Sequence, residues 1–283
     1  MLDMRYHVIS LVAVLLALGI GILLGTTLVE RGLIAEQKSE IESLKETFSE
    51  IKEKNQSLHD DLDVYRGYAT ESKPYMLANR LPERPFVVIT GLEPDQEALH
   101  SIHDAIGSAG GNVPLTIKLP PATVYEDPAL LESLASGFGL PAEAEVLKER
   151  VLAEVVEELK TASNTGVLTM LDQLGAIQLQ GVLPGPVTGA VLLGSIEKAD
   201  ALESTDLPLL RAFAAAGFPV VGVSGAKESD AAMIEYKKNG ISTVDHVDTV
   251  PGEVALVLVL EGRSGNYGSG RAAERILPEA AGI

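Results

Sequence analysis

Few residues in this chain are of types and spacings that do chemistry. His100 and His103 stand three apart, so any helix that carries them puts both imidazoles on one side, where they could share a metal ion. A closed zinc or copper site needs more ligands than two. Cys is absent and the five Met are scattered, so the two histidines are only a weak candidate for zinc or copper. Leu99, Ile102, His103 and Ile106 also share a helical stripe, which reads His103 as core. Gly222-Val-Ser224-Gly225-Ala226 resembles a nucleophile elbow with Asp245-His246 downstream, but its second glycine is shifted. Gly194-Ser195 and Ser224-Gly225 each follow an apolar run, where amide donors at a helix start can bind an anion. Neither segment is a dinucleotide or P-loop motif, and tight turns take glycine anyway. Asp60, Asp61 and Asp63 read as a solvated face. No catalytic residue and no resident cofactor is assigned, and the expectation is a protein that is not an enzyme.

The elements that would position these groups are short apolar runs alternating with helical segments. Phe86-Val-Val-Ile-Thr90, Gly189-Ala-Val-Leu-Leu193 and Pro219-Val-Val-Gly-Val223 read as buried strands. Val113–Leu119 reads as an edge strand because of Pro114, and Ser242–Asp245 as a short one. Helices are expected over Pro94–Ala109, Glu143–Thr161, Leu207–Ala216 and Asp230–Asn239. Val254–Leu260 fits strand or helix, since periodicity does not separate them. This alternation predicts a Rossmann-like three-layer α/β domain over residues 74–262, entered through Pro74, Pro82 and Pro85.

Ahead of that domain the patterning changes twice. Val8–Leu28 is an uninterrupted, uncharged apolar run. About 20 such residues cross a bilayer core of about 30 Å, and no small-residue cleavage site follows, so residues 1–29 read as a stub and an uncleaved transmembrane anchor. A short N-terminal stub and a long C-terminal part give a cytoplasmic N-terminus and an extracytoplasmic domain, a single-pass protein of the cell membrane. Ala13, Ala17, Gly21 and Gly25 recur every four residues and form a small-residue stripe suited to helix association in lipid. Residues 30–73 read as a coiled coil. Ile34, Ile41, Phe48, Asn55 and Leu62 occupy a positions; Gln37, Leu44, Ile51, Leu58 and Tyr65 occupy d positions. Ile at a, Leu at d and one Asn at a select a parallel homodimer, in which Glu40 faces Lys45 and Asp61 faces Arg66 of the other copy. The net charge of -18 argues against nucleic acid as a partner.

The last segment, residues 263–283, is glycine-rich around Gly265-Asn-Tyr267-Gly268-Ser-Gly270. Composition leaves it either a flexible tail or a docked segment, with Arg271–Leu277 helical. The opening Asp3-Met-Arg-Tyr-His-Val-Ile-Ser-Leu, the anchor ending at Gly25, and the closing Gly265-Asn-Tyr267-Gly268 followed by Leu277-Pro278 resemble the actinobacterial copper transporter family. The resemblance implies an anchor, a coil and an α/β domain in a cell-envelope protein of copper homeostasis. It also implies, for some members, a septation complex with a second membrane protein that carries a thiamin-pyrophosphokinase-like domain. No ligand set for copper carries over onto these residues. The first reading is a dimeric scaffold or binding partner in envelope assembly, cell division included; the alternative is a copper-binding or export accessory.

Overall fold

The structure, a computed structural model, describes residues 4–163, 166–194, 206–227 and 230–279. It comprises two compact units, Met1–Gly67 and Tyr68–Ile283. The first unit is helical. Helix α1 spans Met4–Leu77, and its last turns belong to the second unit. Met4–Gly25 is long and apolar enough to cross a membrane, with mean hydropathy 2.8 and none of it buried in the chain. A Cβ added at Gly21 or Gly25 would meet nothing within 4 Å. The described seam residues face solvent. Leu44 is 68% and Phe48 73% exposed, and Ile41, Ile51, Leu58, Leu62 and Tyr65 are exposed as well. Asn55 is exposed too; the Ile34 side chain lies outside the described residues. Arg66 sits 3.8 Å from Asp63 of its own helix. Pro74, expected to end the helix, does not: α1 runs on to Leu77 and Ala78 N–H still donates to Pro74 O at 3.0 Å. Near a helix end one lost i→i−4 bond is tolerable.

The second unit is built on seven strands among the described residues: β1 Pro85–Gly91, β2 Asn112–Leu119, β3 Gln178–Gly181, β4 Gly189–Leu193, β5 Val220–Val223, β6 Ser242–Val244 and β7 Asn266–Tyr267. Their spatial order is β3-β2-β1-β4-β5-β6-β7. All neighbours are parallel except β2 and β3. Helices α2 Gln96–Ser108, α3 Pro128–Phe138, α4 Ala144–Thr161, α5 Val167–Gln173, α6 Leu207–Ala215, α7 Asp230–Lys238 and α8 Val250–Glu261 cover it. Alternation along the strands sorts the core into two layers. Val87, Ile89, Leu115, Ile117, Ala190 and Leu192 pack under α3 to α7. Phe86, Val88, Val191, Leu193, Val221 and Val223 pack under α2 and α8, together with Leu77 and Leu81. The three-layer α/β expectation therefore stands.

Several expectations are corrected. Strand β2 is interior, not an edge. The β1–β2 register shifts between Pro85↔Asn112 and Val87↔Leu115, so Pro114 sits in a bulge where its missing N–H costs no ladder bond. The edge is β3, too short and polar to be seen in the sequence. Val254–Leu260, left open between strand and helix by its periodicity, is helix, buried on nearly all sides because it lies between the sheet, α2 and the end of α1. Arg271–Leu277 is not helical; it is turn, with a bridge from Arg275 to Tyr267.

Candidate functional site

The carboxyl ends of the parallel strands are where this kind of sheet binds ligands, above all at the switch point between β1 and β4, whose onward connections run in opposite directions. From β1 the chain leads through Gly91–Asp95 into α2. Asp95 caps α2 with Oδ1, accepting from Glu97 N–H at 2.9 Å. Asp95 Oδ2 and Thr90 Oγ1 are buried without a hydrogen-bond partner among the described residues. The turn after β4 leaves from Gly194; Ser195, the second residue of that predicted anion turn, lies outside the described residues.

After β5, Gly225 approaches α2 closely. A Cβ there would stand 3.1 Å from Ala98 Cβ and 3.3 Å from Asp95 Oδ2. Ala226 N–H donates to both carboxylate oxygens of Asp248, at 3.0 and 3.1 Å, and Lys227 Nζ donates to Glu97 Oε2 at 2.9 Å. The amide that could have held an external anion is thus already occupied by the chain's own carboxylate. Gly222, the first glycine of the elbow-like segment, answers to packing: a Cβ there would lie 2.4 Å from the Tyr236 ring. Tyr236 is fully buried and its hydroxyl donates to Asp206 Oδ2 at 2.7 Å. Burial pushes the Asp206 carboxyl up to about 6 against the opposing pull of that hydrogen bond.

After β6 comes Asp245, 2% exposed, followed by His246 at φ 50°. Asp245 Oδ1 lies 2.8 Å from His246 Nδ1 and accepts from Ser269 N–H at 2.7 Å and Gly270 N–H at 3.0 Å. No hydrogen bond joins Ser224 Oγ to His246 among the described residues, so the Ser224, Asp245 and His246 of the elbow-like reading do not form a relay. Asp245 instead anchors the C-terminal segment. Strand β7 pairs with β6, Thr243 Oγ1 donates to Asn266 Oδ1 at 2.9 Å, and Tyr267 Oη donates to Ser264 O at 2.7 Å. The two glycines that follow are required by contact. A Cβ at Gly268 (φ 131°) would sit 2.0 Å from Asp245 Oδ1, and one at Gly270 would sit 2.6 Å from Asp230 Oδ1. The segment is docked, and composition could not show it because Asp245 is distant in sequence.

The two histidines sit on α2, away from this cluster. His100 is 77% exposed and its Nε2 lies 3.7 Å from Asp104 Oδ2. His103 is exposed, not core; the buried stripe of α2 is Ala98, Ser101, Ile102, Ala105 and Ile106. Partial desolvation of its ring, then the neighbouring His100, hold His103 below the usual histidine range, against Asp104. Across from α2, Glu253 of α8 pairs with Lys73, and burial raises its carboxyl despite that partner. No group of three or more His, Cys, Asp or Glu converges to hold a metal ion among the described residues. Met233 is buried in the core while Met76 faces outward, so these two do not share a thioether site.

Fold and site together define a class: a three-layer α/β domain, its acidic loop ends closed by its own backbone amides, on a chain with an N-terminal apolar helix that, among the described residues, is the one long enough to cross a membrane and fits a single-pass membrane protein. Residues 1–278 match the family described as Copper transport outer membrane protein, MctB, and the chain belongs to that family. Proteins named Copper transporter MctB from Mycobacterium bovis and from two strains of Mycobacterium tuberculosis are 25% identical to it over 314 aligned positions, covering 96% of this chain and 98% of theirs. These names speak of copper transport. They support the copper-homeostasis alternative, and not the septation scaffold that came first in the sequence reading.

Proposed function

We propose that this chain serves copper homeostasis as a non-enzymatic accessory anchored in the cell membrane, working as a parallel pair of identical chains with the α/β domain outside the cytoplasm. The family match over residues 1–278 carries the copper assignment. The accessory role, rather than that of a conduit, is supported by the one span, among the described residues, that is long and apolar enough to cross a membrane: one or two such helices cannot enclose a polar path for an ion. Pairing is supported by the exposed apolar seam from Ile41 to Tyr65, which a lone helix in water would leave unburied. Copper is cargo here, and His100 with His103 is too sparse a set to hold it tightly.

Deleting the gene in its own host tests the reading. The deletion should lower the copper concentration the cells tolerate, and the full-length chain should restore it. Unchanged copper tolerance after deletion would sink the proposal. Calorimetry on the purified full chain against a competing chelator supplies the second test. Copper should bind no more tightly than to a surface histidine pair, and a stoichiometric site that disappears in His100→Ala with His103→Ala would turn the accessory into a copper carrier.

A further inference from the structure

Beneath the carboxyl halves of β1 and β2, on the face opposite α2, the second unit holds a cavity of about 260 Å³. Its inner wall is aliphatic, formed by Ile89, Ile117, Leu134, Leu168 and Leu171, all buried. Protein interiors rarely leave voids larger than a water molecule, and a space with no polar partners does not hold water well. One polar group on its wall, the Tyr125 hydroxyl, is already engaged, donating to Ala176 O at 2.8 Å; burial holds that phenol neutral by raising it. The cavity opens to solvent beside Glu126 and the first turn of α4, where Ala144 and Glu145 are exposed and Lys148 is half-buried. Depth is thus apolar and the rim polar, the profile of a site for an amphiphile.

We propose that this cavity binds one medium-length aliphatic chain with an uncharged hydroxyl head. Length follows from volume. An apolar cavity of about 150 Å³ holds benzene, so this one takes roughly ten non-hydrogen atoms. The head follows from the rim. Two carboxylates against one ammonium disfavour an acid, while Lys148 and the N–H groups of the first turn of α4 can donate to a hydroxyl oxygen.

The test uses the full chain in lipid nanodiscs, a photoreactive decanol with a terminal diazirine, and peptide mapping by mass spectrometry. Label should appear in peptides from α4 and α5 and be displaced by excess decanol. Val151→Phe, which fills the cavity, should cut that labelling at least fivefold. Ala144→Trp should do the same by covering the mouth from an exposed position that does not threaten the fold. Decanoate should need at least a tenfold higher concentration than decanol for the same displacement. Labelling confined to Met4–Gly25, or undiminished in Ala144→Trp, would overturn the site. Equal competition by decanoate would overturn the uncharged head.

Discussion

Replacing Gly268 by Ala should destabilise the α/β unit far more than the same change at Gly262, although their φ angles are alike. Gly262 has φ 127° with nothing within 4 Å of an added Cβ; Gly268 has φ 131° with Asp245 Oδ1 2.0 Å away. A positive φ strains an L residue at both positions, by on the order of 1–3 kcal/mol, so the comparison removes most of that cost. What remains is the displacement of Asp245, which is nearly inaccessible and accepts from Ser269 and Gly270 N–H. Hydrogen bonds to a charged group contribute roughly 1.5–3 kcal/mol each. Losing one and weakening the other gives an excess of about 3 kcal/mol for Gly268→Ala. Urea unfolding of the full chain in detergent, followed by near-ultraviolet circular dichroism of the tyrosines, measures both variants. In an Asp245→Ala background the excess should vanish, because the clash is gone. Equal destabilisation by the two glycine substitutions, within about 0.5 kcal/mol, would refute the idea that Asp245 anchors the C-terminal segment.

Asp206 makes stability depend on pH. Its folded value of about 6 stands above the ordinary 3.8, so the native chain keeps a proton that the unfolded chain has lost between those values. Stability is therefore favoured below pH 3.8 and falls as pH rises toward about 6, by up to about 3 kcal/mol. Asp206→Asn should flatten that decline, and parallel urea midpoints for both proteins from pH 4 to pH 7 would contradict it. In the coil, single cysteines at Leu44 or Leu58 should crosslink to their own copy in membranes while Glu46→Cys and Glu53→Cys, on the outer face, do not; the native chain has no Cys to interfere. Crosslinking at all four positions alike would dismiss the seam. Gly21→Leu with Gly25→Leu should weaken association of the anchors by on the order of 1 kcal/mol or more, where Leu23→Ala changes little; equal effects would leave the small-residue stripe as composition.

What was legible in the sequence is what local periodicity encodes. An unbroken apolar run marks Met4–Gly25, and strict alternation or short apolar runs mark β1, β4 and β5, because each element advertises its own buried face. Helix α3 was not read in the sequence, although Asp127 caps its first turn just as Asp95 caps that of α2. The rest depends on contacts between residues far apart in the chain. Pro114 reads as an edge signal until a bulge gives it a place in the interior. Strand β3 and the short β7 have too few residues to show a period. Gly222 and Gly268 look like turn or tail residues, and only the approach of Tyr236 and Asp245 shows why neither position admits a side chain. His103 shares its spacing with Ile102 and Ile106, yet α2 turns that side to solvent because the sheet and α8 take the Ala98, Ile102, Ala105 face. The sequence alone determined an N-terminal apolar helix, a heptad-patterned stretch after it and an α/β domain. Tertiary structure decided that the loop carboxylates are spent on the chain's own amides and that an apolar cavity lies below β1 and β2, since both depend on surfaces that meet only when the sheet assembles.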